Sequence, residues 1–228
     1  MTEDFAARRA AARKRLDAID PAKAGRLDDP YRRDWFKTVY DLAADDPACV
    51  PWADEAAHPL LADWLGRHDI AGLRALDVGC GLGDNAEALA AAGARTSAFD
   101  LSERAIAWAK RRFPATTVDY RAADLFDAPA QWRGAFDFVH ECYTLQALPN
   151  QLLPEAGRAL ASFLAPGGRM LVIARSRPNP AAPNGPPWPL SQDDMKALAS
   201  NGLAIEEIEE LAPVDEPMHW RALYRRAA

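Results

Sequence analysis

Cysteine is scarce in this chain: Cys49, Cys80 and Cys142 are widely spaced and odd in number. They make no CxxC pair and no ligand spacing with the four histidines, which excludes a disulfide scaffold and predicts no metal centre. Reduced thiols suit a cytoplasmic protein, and that location is expected. Long apolar runs are also missing. The longest, such as 170–174, are far too short to cross a bilayer, so no membrane association is expected. The opening stretch MTEDFAARRAAARKRLDAID has no apolar leader core, and Glu3, Asp4 and Asp17 speak against an organelle presequence. It reads as an exposed mixed-charge helix ending before Pro21. Nor is there a basic surplus. Lys and Arg total 27 against 33 Asp and Glu, a net charge of −6, whereas gripping a phosphate backbone calls for excess cations. No nucleic-acid partner is expected.

What is present suits an α/β domain. The 228 residues are 49% hydrophobic, enough for one sizeable core. From Leu73 onward, strands and helices alternate, as in a parallel sheet covered by helices. Strands are expected at 73–78, 95–100, 116–124, 136–141 and 169–174, with an antiparallel hairpin at 203–210 and 219–226. Ser102 and Ser191 read as helix N-caps and Gly202 as a helix end, while a helix at 151–164 closes in the turn APGG (165–168). Together these predict a seven-stranded, mostly parallel, doubly wound, Rossmann-like sheet. Residues 1–50 read as an N-terminal helical lid and 51–228 as the main domain; three of the seven tryptophans fall in 26–70. The stretch 176–190 holds six prolines, which rules out helix and central strand and suggests a functional cover.

The strongest motif is Leu76-Asp77-Val78-Gly79-Cys80-Gly81-Leu82-Gly83 at the end of the first strand. Glycine lets backbone turn tightly and approach a ligand, and open α/β sheets bind ligands at the carboxyl ends of their strands. A dinucleotide fingerprint would need glycine at position 84, where Asp84 stands at a helix N-terminus and would repel a pyrophosphate. A nicotinamide cofactor is therefore disfavoured, and a cationic ligand without phosphate is favoured. Asp100, followed by Leu101, closes the second strand, where a carboxylate can accept from a ribose diol. Asp124 ends the third, placed for an adenine amine, with Leu125 offering its amide and an apolar surface. Any one strand-end aspartate can simply cap a turn. Three on successive strands point to a site.

Asp77 to Gly83, Asp100, Asp124 and APGG together resemble the motif series of class I methyltransferases that use S-adenosylmethionine (SAM). The match spans about residues 55–175. Val50-Pro51-Trp52-Ala53-Asp54, His58-Pro59-Leu60-Leu61, Gly185-Pro186-Pro187-Trp188-Pro189-Leu190-Ser191 and the closing HWRALYRR are similar to segments of the thiopurine and thiol/halide methyltransferase family. That resemblance implies a class I methyltransferase fold, SAM as cofactor with S-adenosylhomocysteine (SAH) as product, and a small-molecule acceptor, with sulfur ahead of oxygen or nitrogen. It implies that Trp52 covers the methionine end of SAM, through a cation–π contact of roughly 0.5–2 kcal/mol with the sulfonium. Trp35 and Trp188 are candidates for acceptor binding; the alternative for Trp52 and Trp188 is a core aromatic packed by proline loops. Glu141 and Tyr143, at the end of the fourth strand, are the candidate catalytic side chains, with Glu141 also near the cofactor; His140 alternates with Glu141 and reads as a core histidine. The fourth strand lacks the Asn/Asp-Pro-Pro-aromatic element of amino-methylating DNA enzymes. A non-catalytic SAM-binding subunit, a nicotinamide oxidoreductase and an aminopropyl transferase are the rival readings. Oligomeric state is not legible in the sequence.

Overall fold

The computed structural model describes residues 3–26, 28–181, 185–213 and 217–228. Its centre is a seven-stranded sheet of β1 (Arg74–Val78), β2 (Arg95–Asp100), β3 (Asp119–Ala122), β4 (Phe136–Cys142), β5 (Leu164–Arg175), β6 (Leu203–Leu211) and β7 (His219–Arg226). The order is β3-β2-β1-β4-β5-β7-β6, with β7 antiparallel to both neighbours and the other pairs parallel. The chain reverses direction across the sheet between β1 and β4, so their carboxyl ends diverge into a crevice.

Alternation along the central strands divides the core in two, because successive side chains leave opposite faces. Leu76, Val78, Val139, Met170, Val172 and Tyr224 pack on one face. Ala75, Phe138, Leu171, Ile173 and Leu223 pack on the other. His140 and Glu141 accordingly part company, one to each face.

Helices α3 (Pro59–Leu65), α4 (Asp84–Ala91), α5 (Glu103–Arg112), α6 (Leu153–Phe163) and α7 (Gln192–Ala197) flank the sheet. Ser102 accepts from the Ala105 amide at 3.2 Å, and Ser191 forms a capping box with Asp194. Gly202 takes φ +78° where that region ends. The N-terminal part forms α1 (Glu3–Ile19) and α2 (Arg33–Ala43), which lie across the strand ends. Arg13 donates to the Pro51 carbonyl at 3.0 Å and Arg9 pairs with Asp54, fixing α1 to the segment before α3. Tyr40 and Ala43 of α2 pack with Ala105 and Trp108 of α5.

Two boundaries and the place of one tryptophan differ from the sequence expectation. β5 starts at Leu164 and runs through APGG, because Gly167 at φ +74° absorbs the kink and the register with β4 shifts between Phe136 and Phe138. β3 is shorter than expected, since the Thr116 hydroxyl takes the Val118 amide at 2.9 Å and turns the chain before the ladder begins. Trp64 is core and not part of the N-terminal cover: it stacks on Phe138 and His68 at 5.1 and 4.1 Å. Among the described residues no helix is long and apolar enough to cross a membrane.

Candidate active site

A cavity of about 580 Å³ opens where the carboxyl ends of β1–β5 meet the undersides of α1 and α2. That is the size of a pocket enclosing one small organic ligand, roughly 300–1,000 Å³. One of its walls is built by the glycine loop. Gly79, at φ +65°, lines the cavity and presents bare backbone to it, while Gly81, at φ +53°, lies against Tyr40 and Trp52. A Cβ on Gly79 would lie 2.4 Å from the Thr144 hydroxyl, and one on Gly81 would lie 3.2 Å from the Tyr40 hydroxyl. Gly83 serves packing instead: its Cβ would strike Tyr120 at 2.3 Å.

Asp100 sits in this wall, 8% exposed. Its two oxygens accept from the Gly81 amide at 3.0 Å and the Ser102 amide at 2.9 Å. Burial pushes its pKa above the ordinary value, and those two amides hold it back. Each oxygen keeps lone-pair capacity for a ribose hydroxyl. Leu101 lies beside it in the same wall. Asp124 and Leu125 close the end beyond β3. Asp124 already accepts from the Phe126 amide at 2.9 Å and from Arg33 Nε at 2.5 Å. The Arg33 guanidinium lies 4.1 Å over the Tyr31 ring, so α2 and the turn before it also seal this end.

The roof is aromatic. Trp52 sits 6.0, 5.9 and 5.9 Å from Trp35, Phe36 and Tyr40, and its Nε1 donates to Tyr40 at 3.0 Å. Trp35 also lines the cavity, stacked under Arg32 at 4.1 Å, with its own Nε1 buried and without a partner among the described residues. Electron-rich ring faces and acids without a phosphate cradle match an adenosyl sulfonium; the residues present fit SAM.

Several expected site residues do not reach the cavity. Asp77 is 1% exposed and turned to the other sheet face, where its Oδ1 lies 2.6 Å from His140 Nδ1. It braces β1 against β4 and does not reach the cavity, which corrects its expected place among the cofactor-binding motif residues. Cys80 is buried behind the loop, where burial pushes its thiol pKa up. Glu141 is wholly buried, with Oε1 accepting from the Leu145 amide at 3.2 Å and Oε2 without a partner among the described residues. It stands behind the turn after β4, so it does not reach the cavity. Trp188 lies 5.3 Å from Arg32 outside the lining, and it is Pro186 and Pro187 that reach the cavity.

Tyr143 does line the cavity, at the end away from β3. It holds φ +71°, a left-handed conformation costing a non-glycine residue about 1–3 kcal/mol. Its amide donates to Ile173 at 3.0 Å. Its hydroxyl lies 2.9 Å from His58 Nε2 and 2.7 Å from His219 Nε2. The tautomers follow from the other ring nitrogens. His58 Nδ1 accepts from the Leu60 amide as the N-cap of α3, which puts the hydrogen of the neutral ring on Nε2, toward Tyr143. His219 Nδ1 faces the Pro217 carbonyl at 2.6 Å; a carbonyl only accepts, so Nε2 of the neutral ring presents its lone pair to Tyr143. Burial, with His219, His140 and Arg175 adding, depresses the His58 pKa to about 3, keeping that ring neutral. Arg221 fixes the spacing of the two histidines by bonding Leu60 O and Asp63 of α3 from β7.

Neither histidine stood out in the sequence. Their separation of 161 positions hides the pairing, and only the HPL cap and the opening HW of the last strand hinted at either. Arg175 and Gln146, which also line the cavity, carried no sequence signal. Among the described residues no group of three or more His, Cys, Asp or Glu could hold a metal ion.

Residues 75–168, from the start of β1 through the glycine turn of β5, match the family model described as methyltransferase domain. The chain carries a class I SAM-dependent methyltransferase domain. A ubiquinone biosynthesis O-methyltransferase of Aromatoleum aromaticum is 32% identical over 166 residues, covering 69% of this chain and 64% of that one. The corresponding protein of Xanthomonas oryzae pv. oryzae is 37% identical over 131 residues, 56% of this chain and 53% of that one. The chain thus spans between half and two thirds of the length of these relatives. In fold, the domain is similar to the 1,6-didemethyltoxoflavin-N1-methyltransferase of Burkholderia thailandensis, solved with S-adenosylhomocysteine: TM-score 0.69, 18% identity, 92% of each chain covered. The curated relatives are named for oxygen methylation, so the thiopurine and thiol family suggested by the Pro-Trp and Gly-Pro-Pro segments gives way to the broader class.

Proposed function

We propose that this chain transfers a methyl group from SAM to a hydroxyl oxygen of a small molecule held in the cavity. The observation that carries this is Tyr143, clamped between two imidazoles at the end of the cavity opposite the adenine wall. SAM, when bound, supplies a methyl on a positively charged sulfur. Gly79 and Gly81 would accommodate its methionyl part, Asp100 its ribose, and Asp124 with Leu125 its adenine, under Trp35 and Trp52.

The chain's own contribution is alignment and proton removal. Aligning the acceptor lone pair with the methyl needs a rigid pocket, which α1, α2 and the proline segment provide. A hydroxyl gains nucleophilicity as it loses its proton, and Tyr143 Oη is placed to take it while passing its own proton to His219 Nε2. His58 Nε2–H donates to the same oxygen and stabilises the charge developing there. A thiol with a low pKa would need none of this apparatus, which supports oxygen over sulfur.

Turnover assayed as SAH formation over a panel of phenols, hydroxy acids and thiols tests the reading. Tyr143→Phe and His219→Asn should each lower kcat on the best hydroxyl acceptor by about 10²-fold or more, leaving SAH affinity within twofold. Wild-type turnover in both variants, or activity confined to thiols, would overturn it.

A further inference from the structure

We infer that the acceptor is an acid, a hydroxy-carboxylate whose carboxylate is held by Arg175; this deepens the oxygen-methylation reading and rests on it. The argument begins with the charges around the cavity. Six cationic side chains line it, and four stand in ion pairs with acids of the same wall. These are Arg9 with Asp54, Lys23 with Asp17, Arg32 with Asp20 and Arg33 with Asp124. Arg13 donates to the Pro51 carbonyl. Among the described residues Arg175 finds neither an ion pair nor a side-chain hydrogen bond, and its Nε is buried without a partner.

A half-buried guanidinium with no counter-charge carries a desolvation cost that protein chemistry normally relieves with an acid. Among the described residues no acid supplies that relief, and the residue is nonetheless held firmly. Its amide donates to Gln146 Oε1 at 2.6 Å and its carbonyl accepts from Leu190 at 2.9 Å. Its guanidinium carbon lies 5.8 Å from the Tyr143 ring centroid. Burial holds the Arg13 pKa below its ordinary value, the charges of Arg175 and Arg9 add to this and those of Asp54 and Asp17 oppose it, so Arg175 stands within electrostatic reach of a second cation. An arginine fork aimed from a fixed strand end is the geometry that takes a carboxylate through two parallel hydrogen bonds.

Two sources could supply the carboxylate: the acceptor or the methionyl part of SAM. Position favours the acceptor. Arg175 ends β5, two strands from β1 and its glycine loop, or about 10 Å at the usual strand spacing, and it lies on the Tyr143 side.

The test is calorimetry on the full chain saturated with SAH, titrated with 3-hydroxybenzoate, 4-hydroxybenzoate and 3,4-dihydroxybenzoate and with their methyl esters. At least one acid should bind about tenfold or more tighter than its ester. Arg175→Met should erase that preference, Arg175→Lys should keep part of it, and both should bind SAH as the wild type does. Acids and esters binding alike, no acid binding at millimolar concentration, or a preference surviving in Arg175→Met would each overturn the proposal. Weakened SAH binding in Arg175→Met would assign the residue to the cofactor's carboxylate and overturn it equally. Failure of the wild type to bind SAH at all would instead sink the methyltransferase reading beneath it.

Discussion

Replacing Glu141 by glutamine should stabilise the protein, and by an amount that grows with pH. The carboxyl is wholly buried, one oxygen has no partner among the described residues, and burial raises its pKa from 4.5 to about 8; the Asp77 charge adds to this, and the Leu145 and Thr144 amides oppose it. The folded state therefore holds this proton over a range where the unfolded chain has lost it. Since stability falls wherever the folded state binds more protons, wild-type stability drops as pH rises from about 4.5 toward 8 and the loss then levels off. At about 1.4 kcal/mol per pKa unit, the loss from this one group is about 3 kcal/mol at pH 7 and about 5 kcal/mol above pH 9. The glutamine side chain of the Glu141→Gln variant keeps an acceptor for the Leu145 amide and never ionises. Urea unfolding at intervals from about pH 5 to pH 9 should show the two proteins nearly equal at the acid end and the variant ahead by a few kcal/mol at the alkaline end. A stability difference that stays flat with pH would refute the reasoning. Because Glu141 does not line the cavity, SAH affinity should be unchanged in the same variant.

Trp52→Ala should weaken SAM more than SAH, by an extra factor of about 2–30, since the lost ring face acts on a sulfonium that only SAM carries; equal weakening of both would remove the cation–π role. Gly83→Ala places a Cβ 2.3 Å from the Tyr120 hydroxyl at φ +94° and should cost about 2 kcal/mol, lowering Tm by about 4–8 °C; an unchanged Tm would show that the loop relaxes freely.

The sheet was legible because its signals are local. Period-two apolar strands, serine caps at 102 and 191, and glycines at chain reversals are each set by the residues that form them. One wall of the cavity was legible for a related reason: Gly79, Asp100 and Asp124 follow or close a strand, so locating the strands located them. The acceptor end was not, because it is assembled from distant parts. His58 caps a helix, His219 opens the last strand, and Arg175 ends β5, so no window of sequence brings them to Tyr143. Glu141 and Asp77 misled in a different way. Their position at a strand end was right, but which face each takes depends on pairing with His140 and on the turn at Leu145. Trp188 was read as an acceptor contact from a proline-rich segment whose prolines, not its ring, reach the cavity; residues 182–184 of that segment lie outside the described residues.

The most direct test of the central claim is calorimetric titration of the purified chain with SAM and SAH, on wild type and Asp100→Ala, with the fold of each checked by circular dichroism. Loss of a buried carboxylate bonded to a ribose diol removes charge-assisted bonds of about 1.5–3 kcal/mol each, so affinity should fall by about 10²-fold or more. Micromolar binding of both adenosyl ligands to the wild type, lost in the folded variant, is the predicted result. No binding to a folded wild type, or full affinity in Asp100→Ala, would contradict the assignment of this wall to SAM.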